Sequence, residues 1–283
     1  MKKVLITGRN SYIGNRLAAW LALWPEKYQV DKVSLQTDKW QDIDWSGYDS
    51  IIHVAGIAHN SSNKSLENLY YSVNRDLTVQ VASKAKKEGV RHFVYMSSMI
   101  VFGTDQADIR QDTVPKPDNF YGDSKLHAER ELERLESEDF RVAYVRPPMI
   151  YGYESKGNYP RLSKLAKVTP LFPDYDNRRS MLHVDNLSEF LRLVIMNNDK
   201  GYFHPQNKEY VNTSDLVYEI ASLSEHKILK PRLFNPIIRI VENVGLVNKV
   251  FGDLYYMQDM SDYHSNYNVR SFSETVRVTE LKN

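Results

Sequence analysis

Cysteine is absent from the 283 residues. That excludes disulfide scaffolds, thiolate metal sites and cysteine nucleophiles, and it is compatible with a reducing compartment. An excess of one charge is also lacking: 37 Lys and Arg stand against 36 Asp and Glu, a formal net charge of +1. A chain so balanced has no long-range field to attract nucleic acid or an acidic membrane, so neither is expected as a partner without local evidence. Between Lys3 and Gly8 the apolar stretch is too short for the core of a secretory signal, and a cytoplasmic location is the expectation. The most apolar segment, Pro236 to about Phe251, contains Arg239, Glu242 and Lys249, which makes it a poor membrane span, and no membrane insertion is expected. It reads as an amphipathic helix packed on a smaller domain, with a membrane-surface or oligomer contact as the alternative. No histidine–carboxylate spacing suggests a metal site.

What is present alternates between strand and helix. Val4–Ile6 is a short apolar run ended by Thr7-Gly8, and Asn15 to Trp24 carries Leu17, Trp20, Leu21 and Trp24 at helical spacing before Pro25. Lys32–Leu35 is a weaker strand, Ser50–Ala55 a clear one. Leu66, Leu69, Tyr70, Val73, Leu77 and Val81 fall on one face of a helix ending near Gly89, and the strand His92–Ser97, the helix Tyr121 to about Ser137 and the strand Val142–Val145 follow. Repeats of this kind predict an α/β chain, a Rossmann-type doubly wound parallel sheet with a smaller C-terminal α+β domain. The expected division is a nucleotide-binding domain over 1–155, joined by about 178–204, and a substrate domain over 156–177 and 205–283.

Thr7-Gly8-Arg9-Asn10-Ser11-Tyr12-Ile13-Gly14 lies between the first strand and the first helix. There the N–H groups of a helix N-terminus face a dinucleotide pyrophosphate. Gly8 permits the turn, Gly14 lets helix and strand approach, and Ser11 replaces a middle glycine while remaining small. The second strand ends at Gln36 without the acid that usually binds the adenosine ribose. Asp38 comes late, Asp42 is a candidate for the adenine, and no arginine for a 2′-phosphate is evident. NAD and NADP both stay open, with a lean to NADP because a repulsive carboxylate is missing.

Tyr121 and Lys125 stand at i and i+4, on one helix face. A free phenol titrates near about 10, and a neighbouring ammonium is expected to lower that value so that tyrosine exchanges a proton with a sugar oxygen. Ser98 follows the strand His92–Ser97 at the carboxyl end of the sheet, where ligands of such folds bind. Its hydroxyl is suited to hold the reacting oxygen. Ser98, Tyr121 and Lys125 are therefore the expected catalytic residues.

In this order the motifs resemble those of the extended short-chain dehydrogenase/reductase family, the nucleotide-sugar epimerases, dehydratases and reductases. The resemblance covers about residues 3–204. It implies NAD or NADP held by Gly8, Ser11, Tyr12, Ile13, Gly14, Gln36, Asp42, Ala55, Gly56, Asn74, Ser97, Tyr121, Lys125 and Pro148. The segments that carry it are His53-Val54-Ala55-Gly56, Asn74, Ser97 to Gly103, Arg146 to Gly152 and Arg179 to Asp185. It also implies a nucleotide-sugar substrate, UDP-linked by expectation, met by His59, Ser98, Tyr121, Asn158, Arg161 and Arg179. Arg179 is placed on the diphosphate, where a guanidinium bonds two oxygens at once. His53 and His183 are expected to be structural. Dehydratases of the family follow the hydroxyl residue with Asp-Glu; here Met99-Ile100 cannot move protons, so dehydration is disfavoured. Two reactions remain, both at sugar C4. Reduction of a UDP-linked 4-keto, 6-deoxy hexose is preferred, since several segments look like capsule-synthesis enzymes; 4-epimerisation with bound NAD is the alternative. A non-catalytic dinucleotide sensor is the lesser reading, because such proteins commonly lose the Tyr-Lys pair that is retained here. A homodimer through the two long helices is a family-level expectation.

Overall fold

The computed structural model describes residues 1–58, 63–241 and 245–281, and structural statements below refer to these. Strand β1 (Lys2–Thr7) buries Val4 to Thr7 without a break, as a strand covered on both faces must. Helix α1 (Tyr12–Leu21) turns Leu17 and Leu21 inward. Strand β2 (Tyr28–Val33) begins four residues before the expected Lys32 and ends two before Leu35. It forms the sheet's edge, where four of its six residues escape full burial, so no continuous apolar run marks it. Strand β3 (Ser50–His53) stops short of Ala55, because the chain leaves the sheet there to pass against Gly8.

The long helix expected from Leu66 is interrupted. A 3₁₀ turn leads into α2 (Glu67–Tyr70), a π turn occupies Tyr71–Asp76, and α3 (Leu77–Lys87) completes the run. The wider turn shifts the helical register. Tyr70 and Val81 are buried as expected, but Leu69 is 48% exposed, and the residue rotated inward is Asn74.

The chain continues through β4 (His92–Met96), β5 (Asp108–Ile109), α4 (Phe120–Leu135) and β6 (Arg141–Val145). Next come β7 (Met149–Tyr151), α5 (Asn158–Ala166), β8 (Met181–His183), α6 (Val184–Asn197) and β9 (Gly201–Phe203). Six of these strands form one parallel sheet in the order β2-β1-β3-β4-β6-β9. Alternation along each strand feeds two cores. Val4, Ile6, Ile52 and Val94 pack against α1 and α6, whereas Leu5, Ile51, Phe93 and Tyr95 pack against α3 and α4. From β1 the chain crosses to β2 on one side and then to β3 on the other, which creates a switch point beyond the carboxyl ends of β1 and β3. The register aligns Thr7 with both Val33 and His53, and Met96 with Val145. Gly8, Gly56, Ser97, Ser98 and Pro148 therefore leave the sheet along one rim.

A third core joins Tyr151, Tyr159 and Phe172 to Leu216, Val217 and Ile220 of α7 (Thr213–Leu223). In the segment expected as one packed helix over 236–251, α8 (Asn235–Val241) and α9 (Gly245–Phe251) are helical, and residues 242–244 between them lie outside the described residues. Ile238 is buried and Phe251 packs on the third core, but Ile237 and Ile240 are 62% and 82% exposed. Strand β10 (Tyr255–Tyr256) pairs in parallel with β5, and α10 (Phe272–Glu280) adds Val276 to the third core. The tyrosines of the tail are packed: Tyr256 donates to the Arg146 carbonyl and Tyr267 to that of Gln206. No described helix is long and apolar enough to cross a membrane.

Candidate active site

At the first turn, Gly8 has φ +90°, and a Cβ there would lie 3.2 Å from the backbone of Ala55. Only glycine meets both conditions without strain. Ser11 caps α1, its Oγ accepting from the Gly14 N–H at 3.0 Å, which leaves its O–H as a donor. A Cβ on Gly14 would come within 2.5 Å of that Oγ and 2.9 Å of Ile6. The Tyr12 ring is turned toward Gly152 and Ile13 packs on the α1–α6 core, so these two residues offer the turn their N–H groups rather than their side chains. The Tyr12 hydroxyl is buried and unpaired among the described residues.

Gln36 and Asp42 are both exposed beyond β2, Asp42 closing a 3₁₀ turn over Asp38–Asp42. The cation missing from the end of β2 comes instead from its neighbour. Arg9 follows β1, and its Nε and Nη2 donate to the Lys32 carbonyl at 3.3 and 3.2 Å. The signal was available in the sequence: parallel pairing of the first two strands places the residue after Gly8 beside the second strand's end.

The proton-transfer residues meet because α4 starts against the Ser98 turn. Asn119 caps the helix by accepting from the Gly122 N–H at 3.0 Å. A Cβ on Gly122 would lie 2.6 Å from the Ile100 carbonyl oxygen, so a larger residue would push Tyr121 away from Ser98. Ser98 is extended, its Oγ accepts from the Ile100 N–H at 3.3 Å, and its side chain lies near enough to the Tyr121 phenol to act on its ionisation. Tyr70 meets the Tyr121 ring edge-on at 5.9 Å. One turn on, Lys125 is buried and donates to the Met96 carbonyl at 2.8 Å, with Nζ 4.9 Å from the centre of the Tyr95 ring. Asn74 accepts from the Ile57 N–H at 2.9 Å and donates to Ser124 at 3.1 Å. Gly56 sits between Asn74 and Lys125: a Cβ on it would be 3.0 Å from Asn74 Oδ1 and 3.2 Å from Lys125 Nζ. Ser97 Oγ is buried without a partner among the described residues, and Pro148 is buried beside the rim.

Burial dominates the electrostatics here. It pushes the Lys125 ammonium down to about 8, with Glu129 pulling the other way. It also raises the Tyr121 phenol, while Ser98 acts to lower it.

Glu129 was not singled out from the sequence, although it stands four residues beyond Lys125. It forms a bidentate buried pair with Arg146, at 3.0 and 2.7 Å. This pair clamps α4 to the end of β6. Arg146 also lies over the Tyr202 ring at 4.1 Å.

Of the expected sugar-side residues, His59 lies outside the described residues. Asn158 and Arg161 are exposed in the first turn of α5. Arg179 donates to the carbonyls of Gly252 at 2.7 Å and Asn248 at 3.4 Å, at the end of α9. Burial lowers its guanidinium, and no carboxylate among the described residues comes within ion-pair distance. Both structural histidines are placed as expected. His53 lies between Thr7 Oγ1 at 2.8 Å and Thr78 Oγ1 at 2.9 Å, and His183 accepts from the Asp185 N–H.

Residues 4–207 match the NAD dependent epimerase/dehydratase family. The chain belongs to this family. It is 27% identical over 255 residues to the N-acetyl-alpha-D-glucosaminyl-diphospho-ditrans,octacis-undecaprenol 4-epimerase of Escherichia coli O157:H7, covering 83% of this chain and 76% of that one. The UDP-glucose 4-epimerase of Vibrio cholerae is 25% identical over 249 residues, covering 78% and 75%. The dTDP-4-dehydrorhamnose reductase of Bacillus anthracis, solved with NADP, superposes with a TM-score of 0.73 over the whole of both chains at 20% identity. That likeness speaks for the fold. The epimerase/dehydratase site has the features a dinucleotide needs: a glycine cradle at Gly8, first-turn N–H groups, a close approach at Gly56 to Asn74 and Lys125, and a buried Ser97 hydroxyl with no partner among the described residues.

Proposed function

We propose that the enzyme moves a hydride at C4 of a sugar carried on a diphosphate, and that it does so as a 4-epimerase. The observation that carries this reading is the meeting of Ser98, Tyr121 and Lys125 at the sheet rim, next to Gly56 and the phosphate turn. The choice of epimerisation is supported by the two curated relatives, both 4-epimerases matched over three quarters of their length. The substrates of those relatives share a sugar on a diphosphate, one carried by UDP and the other by a polyprenol, and the proposed substrate class includes both carriers.

A bound nicotinamide dinucleotide supplies the hydride acceptor and donor. Tyr12 and Ile13 would hold its diphosphate through backbone N–H groups, aided by the Ser11 hydroxyl and the opening at Gly8. Asn74, Ser97 and Pro148 would border its reacting end, and Lys125 would donate to a ribose hydroxyl. Ser98 holds the sugar oxygen by hydrogen bond, and Tyr121 takes its proton and returns it. Arg179 reaches the substrate diphosphate, with Asn158 and Arg161 at the outer edge. Met99 and Ile100 hold no titratable group, so no proton is removed from C5 and water is not eliminated. In this reading residues 1–155 and 178–204 hold the cofactor, and 156–177 with 205–283 hold the sugar.

Arg9 favours a second reading, the NADPH-dependent reduction of a UDP-linked 4-keto, 6-deoxy hexose. A guanidinium beside β2, with no carboxylate at Gln36, suits a 2′-phosphate. The two are separated by incubating the protein with UDP-N-acetylglucosamine, UDP-galactose, a polyprenyl-diphosphate-linked N-acetylglucosamine and a UDP-4-keto-6-deoxy hexose. Exchange of C4 isomers without net cofactor consumption is expected. Stoichiometric NADPH loss with the keto sugar alone establishes reduction instead, and no turnover with any of the four favours the sensor.

A further inference from the structure

Outside the active site, the least water-compatible surface of the molecule lies on and before α8. Leu229, Leu233, Ile237 and Ile240 are 71%, 82%, 62% and 82% exposed, and Phe234 joins them. Leu171, also exposed, is tied to this row by backbone pairing with Leu229. Isolated exposed apolar residues are ordinary, but a contiguous patch of this kind marks a contact surface. The segment that carries it is basic: from His226 to Phe251 the chain has five Lys or Arg and one acid. Lys227, Arg239 and Lys249 are exposed, Lys230 is exposed with its Nζ 4.0 Å from the centre of the Tyr218 ring, and Arg232 is paired with Asp174 at 2.7 Å.

We infer that this face docks on the surface of a bilayer containing anionic phospholipid, with the isoleucines and leucines entering the headgroup boundary and the cations meeting lipid phosphates. The charge pattern selects this occupant over a second copy of the chain. A two-fold contact would place the same basic patch on both partners, so that like charge faces like charge across it. Acidic lipid supplies the missing counter-charge, at a gain for each lysine or arginine near the surface. The balanced charge of the whole chain does not oppose this, because screening confines the attraction to about 10 Å. The patch is also tied to the substrate side: α9, which follows it, ends on the carbonyls that accept from Arg179. A docked lobe would present the site to a diphosphate sugar whose carrier is embedded in the membrane. That last link rests on the function proposed above; the docking itself does not.

The test is flotation of the full-length protein with vesicles of equimolar phosphatidylglycerol and phosphatidylcholine, against phosphatidylcholine alone. The protein is expected to float with the anionic vesicles and to be at least about tenfold weaker on neutral ones or in 1 M salt, where the Debye length falls to about 3 Å. Ile237→Asp with Ile240→Asp is expected to abolish flotation while leaving the thermal melt and turnover of a UDP-sugar unchanged. If that pair lowers the melt, Lys230→Glu with Arg239→Glu replaces it, with an expected loss of more than about tenfold in vesicle affinity. The inference is overturned if the wild-type protein does not float, if the variants float equally well, or if the patch instead makes a dimer that Ile240→Asp dissolves. Failure to turn over a polyprenyl-linked sugar, with flotation intact, would count against the substrate reading and leave the docking standing.

Discussion

The sheet rim and the outer face of α8 treat side chains in opposite ways. At the rim, charged and polar groups are taken out of water and matched: Lys125 to the Met96 carbonyl, Glu129 to Arg146, Asn74 to Ile57 and Ser124. On α8, large apolar groups stay in water beside exposed cations. The two regions carry their information differently. A buried charge must be answered by a specific atom, so the rim is intolerant of change. An exposed isoleucine costs the fold little wherever it lies, so α8 is free to serve something outside the chain.

Substitutions sharpen that contrast in order of size. Tyr121→Phe removes the proton-transferring oxygen and is expected to lower turnover by about 10²–10⁴-fold, while fluorescence titration shows cofactor binding retained. Undiminished turnover would take Tyr121 out of the mechanism. Glu129→Ala leaves the Arg146 guanidinium buried and unanswered. A loss of about 3–5 kcal/mol in urea unfolding is expected, and a loss under 1 kcal/mol would mean that water or a neighbour replaces the carboxylate.

The buried histidines give the next effect. Burial lowers His53 and His204 to about 3, and His92 and His183 to about 4, from an ordinary 6.5. Their unfolded forms therefore take up protons first as pH falls. Stability is complete above about pH 6.5 and declines toward pH 4, by up to about 1.4 kcal/mol per pH unit for each histidine. Urea titrations at pH 7 and pH 5 measure the slope; a flat profile would show that these rings are solvated. Arg9→Ala is expected to weaken NADP binding by about tenfold and leave NAD unaffected, as read by equilibrium titration. Equal losses for both cofactors would place Arg9 on the shared diphosphate. The smallest effect belongs to α8: Ile237→Ser should change stability by no more than about 0.5 kcal/mol in the same urea assay. A larger loss would show that α8 is packed.

Much of the sheet and the centre of the site could be read from residue order alone, because both depend on local pattern. Buried strands such as Ser50–His53 and His92–Met96 are apolar runs, and Ser98, Tyr121 and Lys125 stand at fixed places beside them. The family match and the parallel sheet agree with that reading. What escaped it depended on neighbours distant in the chain. Nothing in Tyr71 to Asp76 announces a π turn. Arg9 gains its position from the pairing of β1 with β2, and Glu129 from an arginine seventeen residues away. The exposure of Ile237 and Ile240 was missed for another reason: composition records that residues are apolar, not whether anything covers them.

The short strand β10 lies beside β5, which belongs to the loop between Ser98 and Tyr121, and the backbone of Arg179 pairs with both Val211 and Leu254. The C-terminal part is thus sewn from threads that leave and re-enter the N-terminal half several times. Grafting a new specificity onto this scaffold by exchanging everything after one junction would tear those seams. A workable hybrid must carry the 103–118 loop along with its tail.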